Sequence, residues 1–274
     1  MSNQKSDKEL AFLNDLFIAP DWGERFAELI DDHVVVPKEG KAVYIAAGTG
    51  GHALAIQERV GEKLSLICVD ENEECLVLAR AKATATNEQM GFQPADSTEL
   101  PLPTNEFDLV IGNASLVPPQ KVRKMFSEMV RIASDRAQIA LALPTYSSFG
   151  EFFSIYWEAL HNTGLLDLES DVEHLITALP TVSDVEQMAE DEGLGNVSSW
   201  VRIEEFDYDS GEEFLNSPLV ADFLMTQWLA SVPDPSREKV AEEISRLINE
   251  ERHEAAFPLT IKATVMVGTK SDSH

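Results

Sequence analysis

The stretch AVYIAAGTGGHALAIQERVGEKLSLICVD, residues 42–70, decides how this chain folds. Val43, Tyr44 and Ile45 form a short apolar run that stops at Gly48-Thr49-Gly50-Gly51, where the missing side chains allow positive φ and a close approach to the backbone. A helical pattern of Leu54, Ile56 and Val60 follows, and a second apolar run, Leu64 to Val69, delivers Asp70. Asp70 stands 20 residues beyond Gly50. Strand, glycine turn, helix, strand and acid at that spacing describe a nucleoside site at the carboxyl edge of a parallel sheet, the turn holding one end of the ligand and the acid taking ribose hydroxyls.

Upstream, Leu10, Phe12, Leu13, Leu16 and Phe17 recur at helical spacing, and Asp21 is expected to cap a second helix from Trp22 to Ile30, with Trp22 either in the core or over the ligand, the core being the simpler role. Downstream, Asn72 reads as the N-cap of a helix bearing Cys75, Leu76, Ala79 and Ala83 and closed by Gly91. A third strand at Phe92-Gln93 leads to Ala95-Asp96-Ser97, and a fourth, Phe107 to Gly112, leads to Asn113. A helix from Pro118-Pro119 carries Val122, Met125, Phe126, Met129 and Val130 on one face, and Gln138 to Leu143 is a fifth strand. This alternation signals an α/β fold with a doubly wound, mostly parallel sheet.

From Pro144 the rhythm breaks. TYSSFGEFFSIYWEAL opens a helical segment reaching about Ala178, Ser183 is expected to cap a short helix, and Val197 to Tyr208 reads as a sixth strand. A second helical insertion, about Gly211 to Glu254, precedes a last strand from Pro258 to Gly268, which makes seven. The reading is one domain over residues 1–274, with N-terminal helices at 1–36, a binding core at 37–143, and helical insertions at 144–180 and 209–256 forming a substrate lid. Phe152, Phe153, Tyr156, Trp157 and Leu160 serve either to pack that lid or to face a ligand, packing being the simpler role. Tyr146, Glu151, Tyr156, His161 and His52 are the side chains able to act as a base, and none is selected by its spacing.

Asp and Glu outnumber Lys and Arg by 48 to 21, a formal charge of -27. No Lys/Arg cluster can neutralise a row of phosphates, so a nucleic-acid partner is excluded and the acid is read as surface solvation. Of the two cysteines, Cys68 falls in a buried strand and Cys75 in the helix after it, which is packing and fits a reducing compartment. MSNQKSDKEL lacks the apolar centre of a secretory leader, and no run approaches the roughly 20 apolar residues of a membrane span. The expectation is a soluble, acidic, cytoplasmic protein. The six histidines are scattered without metal-ligand spacing, so no metal is expected, although a site made of carboxylates alone stays open.

The downstream text ADSTELPLPTNEFDLVIGNASL resembles the segment that class I S-adenosylmethionine-dependent methyltransferases place after their third strand. The resemblance runs from about Trp22 to Lys270, is strongest over Val43 to Leu143, and is similar at its end to the subgroup of ubiquinone/menaquinone, malonyl-carrier-protein and trans-aconitate methyltransferases. It implies a seven-stranded Rossmann-like methyltransferase fold whose last strand is inserted antiparallel beside the sixth. It also implies S-adenosylmethionine as cofactor and a small-molecule or lipid-like methyl acceptor under the lid. Carried over position by position, Ala46, Gly48 and Gly50 pass under the methionine part. Asp70 takes the ribose hydroxyls, Glu71 follows toward the adenine, Asp96 receives the adenine amino group between Ala95 and Ser97, and Asn113 stands beside the methionine moiety.

Two positions depart from that pattern. The acid usual at the end of the first strand is Tyr44, and the first glycine is Ala46. Losing one hydrogen bond to a charged group costs on the order of 1.5 to 3 kcal/mol, and backbone carbonyls near Ala46 or a nearby acid such as Asp21 are the substitutes open to the chain. The same departures allow a second reading, a methyltransferase fold kept as a cofactor- or protein-binding module. A third is an NAD-dependent oxidoreductase, because Gly48-Thr49-Gly50-Gly51-His52-Ala53 also satisfies G-x-G-x-x-A, though no Tyr-x-x-x-Lys dyad follows.

Overall fold

The computed structural model describes residues 5–251 and 256–272, so the expected end of the second insertion at Glu254 lies outside the described residues. The chain begins with α1 (Asp7–Leu13), whose Ser6 and Glu9 form a reciprocal capping box. It continues through widened, π-helical turns (Asn14–Gly23) into α2 (Glu24–His33). Then follow β1 (Gly40–Ile45), α3 (Gly51–Val60), β2 (Leu64–Asp70), α4 (Glu73–Thr86), β3 (Gly91–Pro94), β4 (Phe107–Asn113), α5 (Pro119–Ile132) and β5 (Ala133–Pro144). The remainder is α6 (Gly150–Thr163), α7 (Glu169–Ala178), α8 (Val182–Asp191), β6 (Leu194–Tyr208), α9 (Gly211–Asn216), α10 (Met225–Trp228), α11 (Asp234–Glu251) and β7 (Phe257–Lys270).

The seven strands form one sheet in the order β3-β2-β1-β4-β5-β7-β6, with β7 entering between β5 and β6. β1 pairs in parallel with both β2 and β4, and its register sets Ile45 opposite Val69 and Gly112. β2 pairs in parallel with β3, with Asp70 opposite Pro94. Ala46, Asp70, Ala95 and Asn113 therefore leave or end their strands at one edge, where the strand order reverses between β1 and β4; that is where an open α/β sheet holds its ligand.

Four local expectations are corrected. Asp21 caps nothing: the helix passes through it, the widened turns absorb the missing N–H of Pro20, and Asp21 pairs with Arg25 at 3.1 Å. Asn87 rather than Gly91 closes α4, adopting φ 60° and donating its amide to the Ala83 and Thr84 carbonyls, since asparagine tolerates the left-handed conformation. Gly91 instead opens β3. Ser183 lies inside α8, and β5 starts at Ala133 because α5 runs straight into it, the register with β4 slipping between Phe107 and Leu109.

The chain divides into two compact units. The first, Met1–Leu143 with Val182–Val201 and Ala263–His274, holds the glycine turn and most of the sheet. On one face of its sheet Val43, Ile45, Val69 and Val110 pack against Met125, Phe126 and Met129 of α5, all buried. Period-2 alternation along β1 meets helical spacing along α5, and this is the match that fixes the layer. Trp22 is 1 % exposed, a core residue as its sequence context suggests.

The second unit is Pro144–Thr181 with Arg202–Lys262. Its centre is aromatic: Phe152 stacks on Trp228 with ring centroids 4.1 Å apart, and Phe214 and Tyr156 lie within 5.7 Å of the same ring. Phe152, Phe153, Tyr156 and Leu160 are thus packing residues of α6, buried without exception. Among the described residues no helix is long and apolar enough to cross a membrane.

Candidate functional site

The first unit builds the site from backbone upward. Leaving β1, Ala46, Gly48 and Gly50 all take positive φ, 54°, 54° and 73°, and α3 starts at Gly51. Asp70, at the end of β2, accepts hydrogen bonds from the Gly48 amide at 2.8 Å and the Asn72 amide at 2.9 Å, one on each carboxylate oxygen. Burial drives the pKa of its carboxyl upward against those two amides. Each oxygen keeps a free lone pair, which suits a pair of ribose hydroxyls. The Ala95 amide donates to the Asp70 carbonyl at 3.0 Å and so fixes the chain after β3 beside it.

Asp96 accepts from the Thr98 amide and hydroxyl, both at 2.8 Å, and these bonds with Lys121 nearby hold its carboxyl at about 2. Lys121 Nζ bridges Glu71 at 2.6 Å and Asp96 at 3.3 Å. Ser97 is buried, and Asn113 accepts the Ser115 amide at 3.2 Å. The glycine turn, Asp70, Glu71, Ala95, Asp96, Ser97 and Asn113 thus come together at one sheet edge.

Several residues of the site carried no sequence signal. Adding a Cβ to Gly48 would bring it 3.1 Å from Asn14 Oδ1, so the segment after α1 lies directly against the turn. Thr49 donates its hydroxyl to Asp15 at 2.6 Å, and Lys82 from α4 donates to Asp15, to the Thr49 carbonyl and to the Thr49 hydroxyl, the last two at 3.1 Å. Burial raises the Asp15 carboxyl, but Lys82 and Thr49 outweigh it and lower the pKa.

Behind β1 runs a second chain of contacts. Tyr44, 2 % exposed, sets its hydroxyl 3.0 Å from His52 Nδ1 and is hydrogen-bonded by the Asn113 side chain. His52 Nε2 lies 3.0 Å from Asp31 Oδ1, and Arg59 holds Asp31 with two bonds of 2.8 and 2.6 Å. Burial opposes the charge on Asp31, yet His52 and Arg59 bring its pKa down to about 2. Burial also pushes the Tyr44 hydroxyl upward. The spacing His52 to Arg59, two turns of α3, is the one signal that could have marked a shared face.

In the second unit a pocket of about 650 Å³ opens along α6, lined by Tyr146, Phe153, Ser154, Trp157, Glu158 and His161 among others. Tyr156 is absent from it, buried in the aromatic centre, and Glu151 accepts the Thr260 amide at 3.4 Å. Cys68 and Cys75 are free and buried, burial raising each thiol to about 12. Among the described residues no cluster of three His, Cys, Asp or Glu side chains is placed to hold a metal ion.

The sheet order with this edge defines the Rossmann-like methyltransferase fold. The YcgJ protein of Bacillus subtilis shares it with a TM-score of 0.57 at 15% identity, covering 91% of this chain and all of that one. Phosphoethanolamine N-methyltransferase 2 of Haemonchus contortus, solved with phosphomonomethylethanolamine and S-adenosylhomocysteine, gives 0.59 at 14% identity over 99% of this chain and 59% of that one. Residues 42–135 match the methyltransferase domain family. The stretch from the first strand to the start of the fifth accordingly matches a methyltransferase domain.

Among similar sequences, the demethylmenaquinone methyltransferase of Shouchella clausii is 28% identical over 123 residues, 43% of this chain and 52% of that protein. The malonyl-[acyl-carrier protein] O-methyltransferase of Geobacter sulfurreducens is 30% identical over 139 residues, 51% of each. The chain spans about half the length of these two relatives.

Proposed function

We propose that this protein transfers a methyl group from S-adenosylmethionine to a small-molecule or lipid-like acceptor. The observation that carries the reading is the convergence of the positive-φ turn at Gly48 and Gly50 with Asp70 and Asp96 at the ends of adjacent strands. The donor set suits the cofactor: Asp70 has lone pairs for two ribose hydroxyls, Asp96 is ionised and open to an adenine amino group, and Asn113 stands at the far side of the turn. When bound, the cofactor supplies a sulfonium whose methyl carbon is already electrophilic. The chain's own task is to hold the partners in line and exclude water.

The names of the relatives favour a quinol-type or carrier-linked acceptor. The free, buried cysteines suit a reducing cytoplasm. Titration calorimetry with S-adenosylmethionine and S-adenosylhomocysteine tests the cofactor. Binding of either supports the reading, and no binding of either at millimolar concentration refutes it. Transfer of labelled methyl to demethylated quinols or a malonyl thioester then tests the acceptor.

Tyr44 and Ala46 favour one alternative, a module that binds the cofactor without turnover, which tight binding with no transfer to any acceptor class would reveal. Thermal protection by NAD and not by S-adenosylhomocysteine would instead favour an oxidoreductase.

A further inference from the structure

We propose that the pocket along α6 is a binding site for a small organic cation, an amine or a quaternary ammonium ion. Its lining comes from the second unit alone, and the proposal is independent of the proposed cofactor. α6 has two faces. Phe152, Ile155, Tyr156, Ala159 and Leu160 pack the buried one, whereas Ser154, Trp157, Glu158 and His161, spaced by three and four residues, form a row along the cavity. Buried Phe153 marks the boundary and lines the cavity as well. One apolar face is enough to pack a helix, so the half-buried Trp157 on the other face is a large ring that packing does not require.

A second part of the lining is a strained loop. Ser147 and Phe149 both take positive φ, 74° and 64°, without being glycine. Such backbone persists only where the surroundings over-determine it, and it gathers at ligand clamps. Here the Tyr146 amide donates to the Pro180 carbonyl at 2.8 Å, the Phe149 amide to the Thr260 carbonyl at 2.8 Å, and the Lys262 amide to the Ser148 hydroxyl at 2.9 Å. Tyr146 is thereby fixed at the pocket, with 45% of its surface exposed.

The lining selects charge. Tyr146 and Trp157 supply aromatic rings, whose faces attract a cation. Glu158 supplies a carboxylate that meets no hydrogen-bond or ion-pair partner among the described residues. No Lys or Arg stands among the described lining residues, so a carboxylate or phosphate would face a fixed negative charge with nothing to neutralise it. The formal charge of -27 acts in the same direction. A volume of about 650 Å³ suits a small molecule.

Choline is the probe, compared with its uncharged isostere in which a tert-butyl group replaces the trimethylammonium. Each is titrated into the full chain at about 0.15 M salt, where a Debye length of about 8 Å screens distant acids. The amide resonances of Ser154, residue 157 and His161 report occupancy in every variant. Choline is expected to bind about tenfold tighter than the isostere, the scale of a partly desolvated cation on an aromatic ring beside one carboxylate. Glu158→Gln and Trp157→Leu should each cut that preference by about threefold or more. Glu158→Gln should still bind the isostere within about twofold of wild type. Because Glu158 is exposed and unpaired, Glu158→Gln leaves the packing intact and decides the case if Trp157→Leu does not fold.

No saturable response to choline, equal affinity for the two probes, resonance changes that miss α6, or a preference unchanged in the folded variants overturns the site. None of these readouts involves S-adenosylmethionine, so failure here is distinct from failure of the proposed methyl transfer.

Discussion

Replacing Ala46 with glycine should make the protein more stable, against the usual direction of that substitution. Ala46 sits at φ 54°, where a side chain crowds the following carbonyl and costs about 1–2 kcal/mol. Glycine removes that cost but adds about 0.4–1 kcal/mol of unfolded-chain entropy. The first effect is larger, so Ala46→Gly should gain about 0.5–1 kcal/mol, or about 1–3 °C in Tm for a chain of this size. Gly48, two residues on, gives the mirror experiment: it has the same φ, and an added Cβ would stand 3.1 Å from Asn14 Oδ1. Gly48→Ala should lose about 1–2 kcal/mol. Urea denaturation followed by circular dichroism measures both, and the reasoning fails if Ala46→Gly lowers the midpoint or Gly48→Ala leaves it unmoved.

Asp70→Ala should abolish S-adenosylhomocysteine binding in calorimetry while the circular dichroism spectrum stays native, and normal binding would mean the site lies elsewhere. A double-mutant cycle on Asp15 and Lys82 should return a coupling of about 1–2 kcal/mol, above an exposed pair and below a fully buried one; a value near zero would leave the segment after α1 held by packing alone. The Asp31 carboxyl is lowered to about 2, so its contribution to stability is complete above the ordinary aspartate range and is lost as pH falls through about 2. The stability gap between wild type and Asp31→Ala, measured by denaturation from pH 5 to pH 2, should shrink on acidification, and a gap that widens contradicts the assignment.

The sheet was legible because its signals are local. Val43 to Ile45, the glycines and Leu64 to Asp70 each state their own conformation, and strand-helix alternation leaves few topologies open. The convergence of Asp70, Asp96 and Asn113 followed from the same logic, since parallel strands send all their carboxyl ends to one edge. What the sequence hid is long-range. Lys82 meets Asp15 across 67 residues and Asp31 meets His52 across 21, and no spacing rule reaches between elements that pack only after the sheet forms. Asp21 is one of the substitutes the sequence offers for the missing acid, yet a helix that does not break at Pro20 turns it toward Arg25. The left-handed Asn87 hid for another reason: glycine was the expected C-terminal signal, and Gly91 stood close by.

The glycine turn and the segment pressed against it belong to different parts of the chain, joined through Asn14, Asp15, Thr49 and Lys82. Affinity at the turn is thereby tied by linkage to how firmly residues 14–23 are held, and the tie is reciprocal. A ligand that fits beneath the segment tightens it, one that needs it displaced loosens it, and a substitution far from any ligand atom shifts both by the same free energy. Proteolysis within residues 14–23 would therefore serve as a gauge of occupancy, slowing or quickening with the ligand added.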